Sequence, residues 1–337
     1  MIYRNLWLHN INEVEETEGK HILHRFPRMV RENLESDGKT STDYAAVEIR
    51  FVIQGKVRIK LSTVSPEDIS QVIIFYGENQ YVAHPVPYQG ITLELDLIYS
   101  KDFREKIPAR GYRFSPDLVR IQLFGHISLD EVSPDNPDFG NYTLPDAAAF
   151  PAKKYLAYGT SITQSKLALL PDLNYPSILG RLTGYDVYNY GMSGRCYLED
   201  AIIDFLSAEP YDFITLCLSV NMIARGDSTE KFKQRADKLL GALRKKNPRS
   251  PMLLIGIPTN WRDLGMTKEG SLGDHTACEA YREALQSLEG KYPLCSYVDG
   301  RNIVSYTNLT TDFTHPGDYG MIEIAYNLYE AFKKSFT

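Results

Sequence analysis

The hydrophobic pattern of this 337-residue chain changes near residue 150. Before that point, apolar and polar residues alternate in short runs at residues 47–53, 57–61, 93–97 and 119–123. A period of two with one polar face indicates antiparallel strands that have one face in water. Turn residues such as Gly55 separate the runs and no helical pattern intervenes. We therefore predict an antiparallel, jelly-roll-like β-sandwich for this part of the chain.

The second part of the chain alternates apolar strands with helical patterns. Runs at residues 154–158, 212–218 and 251–257 are mainly apolar, which is typical of strands buried on both faces of a sheet. This alternation predicts an α/β fold with three α/β/α layers around a parallel, flavodoxin-like sheet. A proline-rich loop separates the two parts, so we place an N-terminal β-sandwich domain at 1–150 and the α/β domain at 151–337.

Composition argues against several classes of partner. The chain has 37 basic and 43 acidic residues, a balance that disfavours nucleic acid and basic membrane-binding faces. No apolar stretch is long enough to span a membrane, and the N-terminus lacks the pattern of a secretory signal. We therefore expect a cytoplasmic protein without a membrane or nucleic-acid partner, and homo-oligomerisation stays open.

The four cysteines give no sign of a metal site. Cys196, Cys217, Cys278 and Cys295 lack CxxC spacing and a histidine pattern typical of zinc. We expect free thiols, no metal and no cofactor.

Chemically useful side chains follow the predicted parallel strands, where function gathers in open α/β sheets. Ser161 follows the first strand, Gly194 the second and Asn221 the third, while Asp312 and His315 follow the last. A hydroxyl, an imidazole near a carboxylate and amide donors are the groups that acyl transfer by a serine nucleophile requires.

The roles follow from the chemistry of these groups. We predict that His315 takes the proton of Ser161 and later delivers it to the leaving group, while Asp312 holds the imidazole ring. The predicted oxyanion hole consists of the Ser161 N–H, the Gly194 N–H and the Asn221 side-chain amide, and Gly191 competes with Gly194 for this role.

The same segments resemble the sequence blocks of the SGNH, or GDSL-type, esterase and lipase superfamily. The resemblance covers roughly residues 153–335 and appears in Gly159-Thr160-Ser161-Ile162, in Gly194 of the NYGMSGR segment, in Ser219-Val220-Asn221-Met222 and in Asp312-Phe313-Thr314-His315-Pro316. Three positions depart from the family pattern, with Thr160 and Met222 in place of Asp and Ser219 in place of Gly. None of the three carries a predicted chemical role.

The resemblance implies a metal-independent serine esterase that acts through an acyl-serine intermediate. A sandwich before such a domain resembles branches with carbohydrate acetylesterases, so the expected substrate is an O-acyl, and specifically O-acetyl, ester of an oligosaccharide or small metabolite. The alternatives are an acyltransferase that uses the same triad with an alcohol acceptor, and a non-catalytic carbohydrate-binding protein.

Substrate contacts are predicted from position alone. Arg195, Tyr197, Trp261 and Arg262 follow strands near the proposed site and either line the cleft or lie on an exposed loop face. The glycine-rich stretch 264–274 is either a lid or a mobile loop.

Overall fold

The computed structural model of the chain describes residues 1–17, 19–35, 38–132, 140–218, 220–266 and 276–336. These residues divide into two units. One contains Met1–Arg31 and Gly38–Ala152, and the other contains Glu32–Asp37 and Lys153–Thr337. A short segment of the N-terminal half therefore packs with the second unit, which the hydrophobic pattern does not predict.

The first unit is an antiparallel β structure. Its described strands run in the order β3-β4-β10-β5-β9-β6-β7, with β2, β8 and β11 also paired to β5. The elements are β1 (Ile2–Tyr3), β2 (Leu6–His9), β3 (Glu13–Thr17), β4 (Lys20–His24), α1 (Arg28–Arg31), β5 (Tyr44–Thr63), β6 (Ser70–Tyr76), β7 (Asn79–Val86), β8 (Ile91–Leu95), α2 (Lys101–Lys106), β9 (Leu118–Gly125), β10 (Ile127–Val132) and β11 (Gly140–Thr143). Their inward residues share one apolar core. The predicted antiparallel sandwich is confirmed.

One local prediction in this unit is wrong. The chain does not turn at Gly55, because β5 continues through it for 20 residues. The first part of β5 pairs with β9 and the later part with β8 and β10. A Cβ atom on Gly55 would lie 3.1 Å from the side chain of Asn141 on β11. The glycine therefore permits close approach of a neighbouring strand rather than a chain reversal.

The second unit is built on five parallel strands among its described residues. Their order is β13-β12-β14-β15-β16, the 2-1-3-4-5 order of flavodoxin-like folds. The elements are β12 (Lys154–Gly159), α3 (Ser161–Gln164), α4 (Tyr175–Thr183), β13 (Asp186–Gly191), α5 (Asp200–Ala208), β14 (Phe213–Cys217), α6 (Val220–Arg225), α7 (Thr229–Lys246), β15 (Met252–Ile255), α8 (Thr276–Gln286), β16 (Cys295–Val298) and α9 (Asp318–Phe336). The predicted α/β/α architecture is confirmed. None of the described helices combines the length and apolarity needed to cross a membrane.

The register of the sheet positions the loops that matter for function. Gly159 at the end of β12 pairs with Gly191 on one side and with Cys217 on the other. Since parallel strands share a direction, β12, β13 and β14 all end at one edge of the sheet. The loops that carry Ser161, Gly194 and Asn221 therefore leave from that same edge.

Candidate active site

Ser161 is the first residue of α3, immediately beyond β12. The Thr160 hydroxyl caps this short helix by accepting a hydrogen bond from the Ile162 N–H at 3.4 Å, so threonine serves locally as an N-cap. The helix lies close against the end of β13. A Cβ atom on Gly191 would stand only 2.4 Å from the backbone nitrogen of Gln164, so glycine is needed for this approach.

The imidazole of His315 lies between a hydroxyl and a carboxylate. Its Nε2 is 2.8 Å from the Ser161 Oγ, and its Nδ1 is 2.5 Å from the Asp312 Oδ2. With the carboxylate facing Nδ1, that nitrogen carries the proton and Nε2 is free to accept one from the serine. The structure thus brings together the three residues predicted as a triad.

The carboxylate of Asp312 is held by its own loop. Its Oδ1 accepts hydrogen bonds of 2.9 Å from the His315 N–H, the Thr314 N–H and the Thr310 hydroxyl. Phe313 adopts a left-handed φ of 49°, which turns the backbone amides onto the carboxylate. Burial by itself would raise the pKa of Asp312, but these hydrogen bonds, together with the one from the His315 ring, outweigh it and lower the pKa to about 2. A carboxylate held in its charged form can stabilise an imidazolium beside it.

Two backbone N–H groups and one side-chain amide oxygen at this edge of the sheet have no hydrogen-bond partner among the described residues. No described residue accepts a hydrogen bond from the backbone N–H of Ser161 or Gly194, and the buried Oδ1 of Asn221 has no described partner either. Gly194 has a left-handed φ of 72°, which suits glycine. By contrast, the Gly191 N–H donates to the Asn189 side chain at 2.8 Å, which favours Gly194 over Gly191 as a donor to a bound group.

Two buried side chains, which were not predicted from the sequence, join helix α3 to β13 and to the loop that carries Gly194. The Gln164 Oε1 accepts a hydrogen bond from the Ser193 N–H at 2.7 Å, directly before Gly194. The Asn189 Nδ2 donates to the Thr163 carbonyl at 2.8 Å. An asparagine inside the apolar strand DVYNY is a signal that could have found the second of these, because buried amides need partners.

Tyr197 contacts protein on both its hydroxyl and its ring. The hydroxyl donates to the Gly194 carbonyl at 2.8 Å, and the Arg225 guanidinium lies 3.8 Å from the ring centroid. These contacts favour support of the glycine loop over the predicted contact with substrate. Arg195, next to Gly194, is half-buried.

Trp261 contacts the loop that carries the imidazole of His315, and Arg262 contacts Trp261. The Trp261 backbone N–H donates to the Phe313 carbonyl at 2.8 Å, and the Arg262 guanidinium lies 4.0 Å from the centroid of the Trp261 ring. Burial lowers the pKa of Arg262. This placement keeps both residues as candidate substrate contacts.

The structure describes Met222, one of the positions that depart from the family pattern, but it does not describe Ser219. Met222 is fully buried and packs in the core, where the family has a polar residue. Ser219 and most of the stretch 264–274 lie outside the described residues. Within the described residues no group of three or more His, Cys, Asp or Glu could hold a metal ion, and the four cysteines are free.

Comparison with known protein families gives a match over the α/β unit. The model of the GDSL-like lipase/acylhydrolase family matches residues 152–333. No curated protein sequence matches the chain significantly.

Several solved structures share the two-part fold at low sequence identity. A salicylyl-acyltransferase from a tetracycline biosynthetic pathway aligns with a TM-score of 0.74 and 14% identity over 99% of this chain and 96% of its own. A protein described as a GDSL-like lipase from Bacteroides ovatus aligns with a TM-score of 0.64 and 18% identity, covering 98% and 96%. A family two carbohydrate esterase from Cellvibrio japonicus aligns with a TM-score of 0.58 and 13% identity, covering 98% and 95%. Because the family match spans more than half of the chain and includes the Ser161, Asp312 and His315 cluster, this protein belongs to the GDSL-like lipase/acylhydrolase family.

Proposed function

We propose that this protein is a serine esterase that hydrolyses O-acyl esters, and specifically O-acetyl esters of a carbohydrate or small metabolite. The observation that carries the proposal is the hydrogen-bonded series from Ser161 through His315 to Asp312. Such a series activates a hydroxyl that is otherwise a weak nucleophile.

The proposed reaction has two steps. The Ser161 Oγ attacks the ester carbonyl carbon while His315 takes the hydroxyl proton. The resulting tetrahedral oxyanion accepts hydrogen bonds from the Ser161 N–H, the Gly194 N–H and the Asn221 Nδ2. Collapse breaks the bond to the alcohol, which leaves with the proton from His315. Water then gives a proton to His315 as its oxygen attacks the carbonyl carbon of acyl-Ser161. Collapse breaks the bond between that carbon and the Ser161 Oγ, which takes the proton back from His315, and the carboxylic acid leaves.

The carbohydrate part of the proposal rests on resemblance of architecture. Family two carbohydrate esterases align with both parts of this chain, although their identity of 13–14% supports the shared fold alone. An acyl-chain series therefore tests this part separately. We expect p-nitrophenyl acetate to be a better substrate than the butyrate or octanoate, and a preference for the octanoate would contradict the acetyl assignment.

The central test is turnover of p-nitrophenyl acetate by the wild type and by Ser161→Ala. We expect the substitution to lower kcat by about 10⁴-fold or more, because it removes the nucleophile. Ser207→Ala is the matched control, since its hydroxyl only bonds helix carbonyls in α5 and its loss should leave kcat unchanged. Equal rates for the wild type and Ser161→Ala would refute the proposed esterase.

Acyl transfer to an alcohol is a second candidate, favoured by exposed apolar side chains near the triad. Phe313 is 48% exposed and Leu169 is 83% exposed. The Leu169 N–H is tied to Asp318, three residues after His315, at 2.9 Å. Apolar groups beside an acyl-serine favour an apolar acceptor over water. The test is product partition: a transferase yields new ester in proportion to added alcohol, whereas a hydrolase continues to release mainly acid.

A further inference from the structure

A carboxylate from the N-terminal half of the chain lies between two arginines of the α/β unit. The Glu35 Oε2 accepts a hydrogen bond from the Arg225 Nη1 at 2.7 Å, and the Oε1 accepts one from the Arg235 Nη2. Arg225 is the last residue of α6, and Arg235 lies on α7. The Arg235 hydrogen bond is the main cause that lowers the pKa of Glu35, and Arg225 adds to it. The Glu35 backbone is also held, because its N–H donates to the Glu199 Oε1 at 3.3 Å.

Both arginines also contact Tyr197. The Arg235 Nη1 donates to the Tyr197 carbonyl at 2.8 Å, while the Arg225 guanidinium lies over the Tyr197 ring. The Tyr197 hydroxyl then donates to the Gly194 carbonyl. A continuous series of contacts therefore leads from Glu35 to the loop that carries the free Gly194 N–H.

Arg225, which Glu35 binds, shares helix α6 with Asn221, another of the proposed oxyanion donors. Arg225 is four residues after Asn221 on α6, so about one helical turn separates the arginine from the asparagine, whose buried Oδ1 has no described partner. Asn221 and Gly194 follow different strands, β14 and β13, and those strands are separated by β12 in the sheet. Glu35, through its two arginines, joins the two elements outside the sheet.

We infer that Glu35 is a positioning residue for the oxyanion hole. This inference rests on the proposed esterase function and adds a component to it. Donors to a developing oxyanion act fully only when they are held near the productive geometry before reaction. The Glu35 bridge fixes the Gly194 loop relative to α6, and so sets the distance between two of the three proposed donors.

The bridge is placed to affect turnover more than stability. The Glu35 side chain is 40% exposed, and ion pairs at such positions contribute little to the free energy of unfolding. A displaced donor, by contrast, weakens stabilisation that is needed only in the transition state, which lowers kcat and leaves KM nearly unchanged.

The experiment compares Glu35→Gln, Glu35→Asp and the wild type with p-nitrophenyl acetate. We expect Glu35→Gln to lower kcat about tenfold, less than the loss for deleting a donor outright, with KM within about twofold and an unchanged melting temperature. Glu35→Asp keeps the charge and should recover at least half of the wild-type kcat. Asp237→Asn is the matched control on α7, where the carboxylate pairs with Lys291 and Tyr292 instead, and it should leave kcat unchanged.

A double substitution tests the route through Arg235. If Glu35 acts through this arginine, Glu35→Gln should slow the Arg235→Gln variant by much less than it slows the wild type. An active wild type with an equally active Glu35→Gln variant would overturn the inference while leaving the esterase in place. A kcat loss of the same size in Asp237→Asn would also overturn it. An inactive wild type would overturn the proposed function and this inference together.

Discussion

A buried carboxylate of the β-sandwich and a buried amide oxygen of the α/β unit have opposite surroundings. In the β-sandwich, Glu48 is 3% exposed and accepts hydrogen bonds from Arg50, Arg120 and Gln122. In the α/β unit, the buried Oδ1 of Asn221 faces no described partner. Buried polar groups that pair with one another stabilise a fold, whereas groups left open at the edge of a sheet are available to a ligand.

The electrostatics of the two carboxylates extend this comparison. Burial by itself would raise the pKa of Glu48, but the guanidiniums of Arg120 and Arg50 hold it well below its usual range. Asp312 is also kept charged, yet its partner is the His315 imidazole, which contacts Ser161 in turn. Glu48 pairs only with side chains that have no part in the proposed reaction, whereas Asp312 begins a series of hydrogen bonds that reaches a nucleophile. Substitutions at the two sites should therefore separate a loss of stability from a loss of activity.

The largest expected effect is a loss of kcat on substitution of Asp312, which begins the series that leads through His315 to Ser161. Asp312→Asn should lower kcat about 10⁴-fold, because an amide cannot hold the correct imidazole tautomer or stabilise the imidazolium. The measurement is single-turnover and steady-state hydrolysis of p-nitrophenyl acetate. Asp299→Asn, which alters an exposed pair with Arg301, is the control and should retain full activity. A comparable kcat for Asp312→Asn and the wild type would remove Asp312 from the mechanism.

Substitution of Glu48 in the β-sandwich should lower stability and leave activity unchanged. Glu48→Gln should lower the free energy of unfolding by about 3–5 kcal/mol, because it leaves buried guanidiniums without a counter-charge. Chemical denaturation measures this loss, and activity per folded molecule should stay at the wild-type level. The control is Glu94→Gln, which alters the exposed pair with Arg58 and should leave the denaturation midpoint in place. A midpoint equal to that of the wild type for Glu48→Gln would show that the network is not stabilising.

Two asparagines of the α/β unit, one with an unpartnered side-chain oxygen and one whose side-chain oxygen and nitrogen both form hydrogen bonds, allow the same comparison within one residue type. Asn221→Ala should lower kcat about 10²–10³-fold, as expected for a lost oxyanion donor, with little change in melting temperature because no described partner is lost. Asn247→Ala should instead lower stability and leave kcat unchanged. Its side chain accepts from the Tyr211 N–H and donates to the Leu243 carbonyl, so its loss should cost about 1–3 kcal/mol of stability and leave kcat unchanged. An Asn221→Ala variant with normal kcat would exclude Asn221 from the oxyanion hole.

The smallest effect concerns pH. The folded pKa of Asp312 is about 2 against an ordinary 3.8, so its charged form is favoured in the native state. A depressed folded pKa adds stability above the unfolded value, and that stability is lost as the pH falls from about 4 to about 2. The stability advantage of the wild type over Asp312→Asn should therefore shrink across this window in denaturation experiments. An advantage that stays constant from about pH 5 to pH 2 would contradict the assigned cause.

Several features of this protein could be predicted from the sequence because they depend on local pattern. Runs that alternate with a period of two bury one face and indicate an antiparallel sheet. Mainly apolar runs bury both faces and indicate a parallel sheet, and both architectures are present. The contact between Asp312 and His315 spans only three residues, within reach of one turn of the chain. Gly55 shows the limit, because a glycine that marks a turn and a glycine that admits a neighbouring strand look the same in sequence.

Only the tertiary structure decided which distant groups meet. Ser161 and His315 are separated by 154 positions, and they touch because β12 and the loop before α9 end at one edge of the sheet. The choice of Gly194 over Gly191 depends on whether an N–H is already bonded, which no local pattern records. The bridge from Glu35 to Arg225 joins residues 190 positions apart. Side-chain hydrogen bonds of this kind follow from packing, and packing depends on the whole fold rather than on the neighbouring sequence.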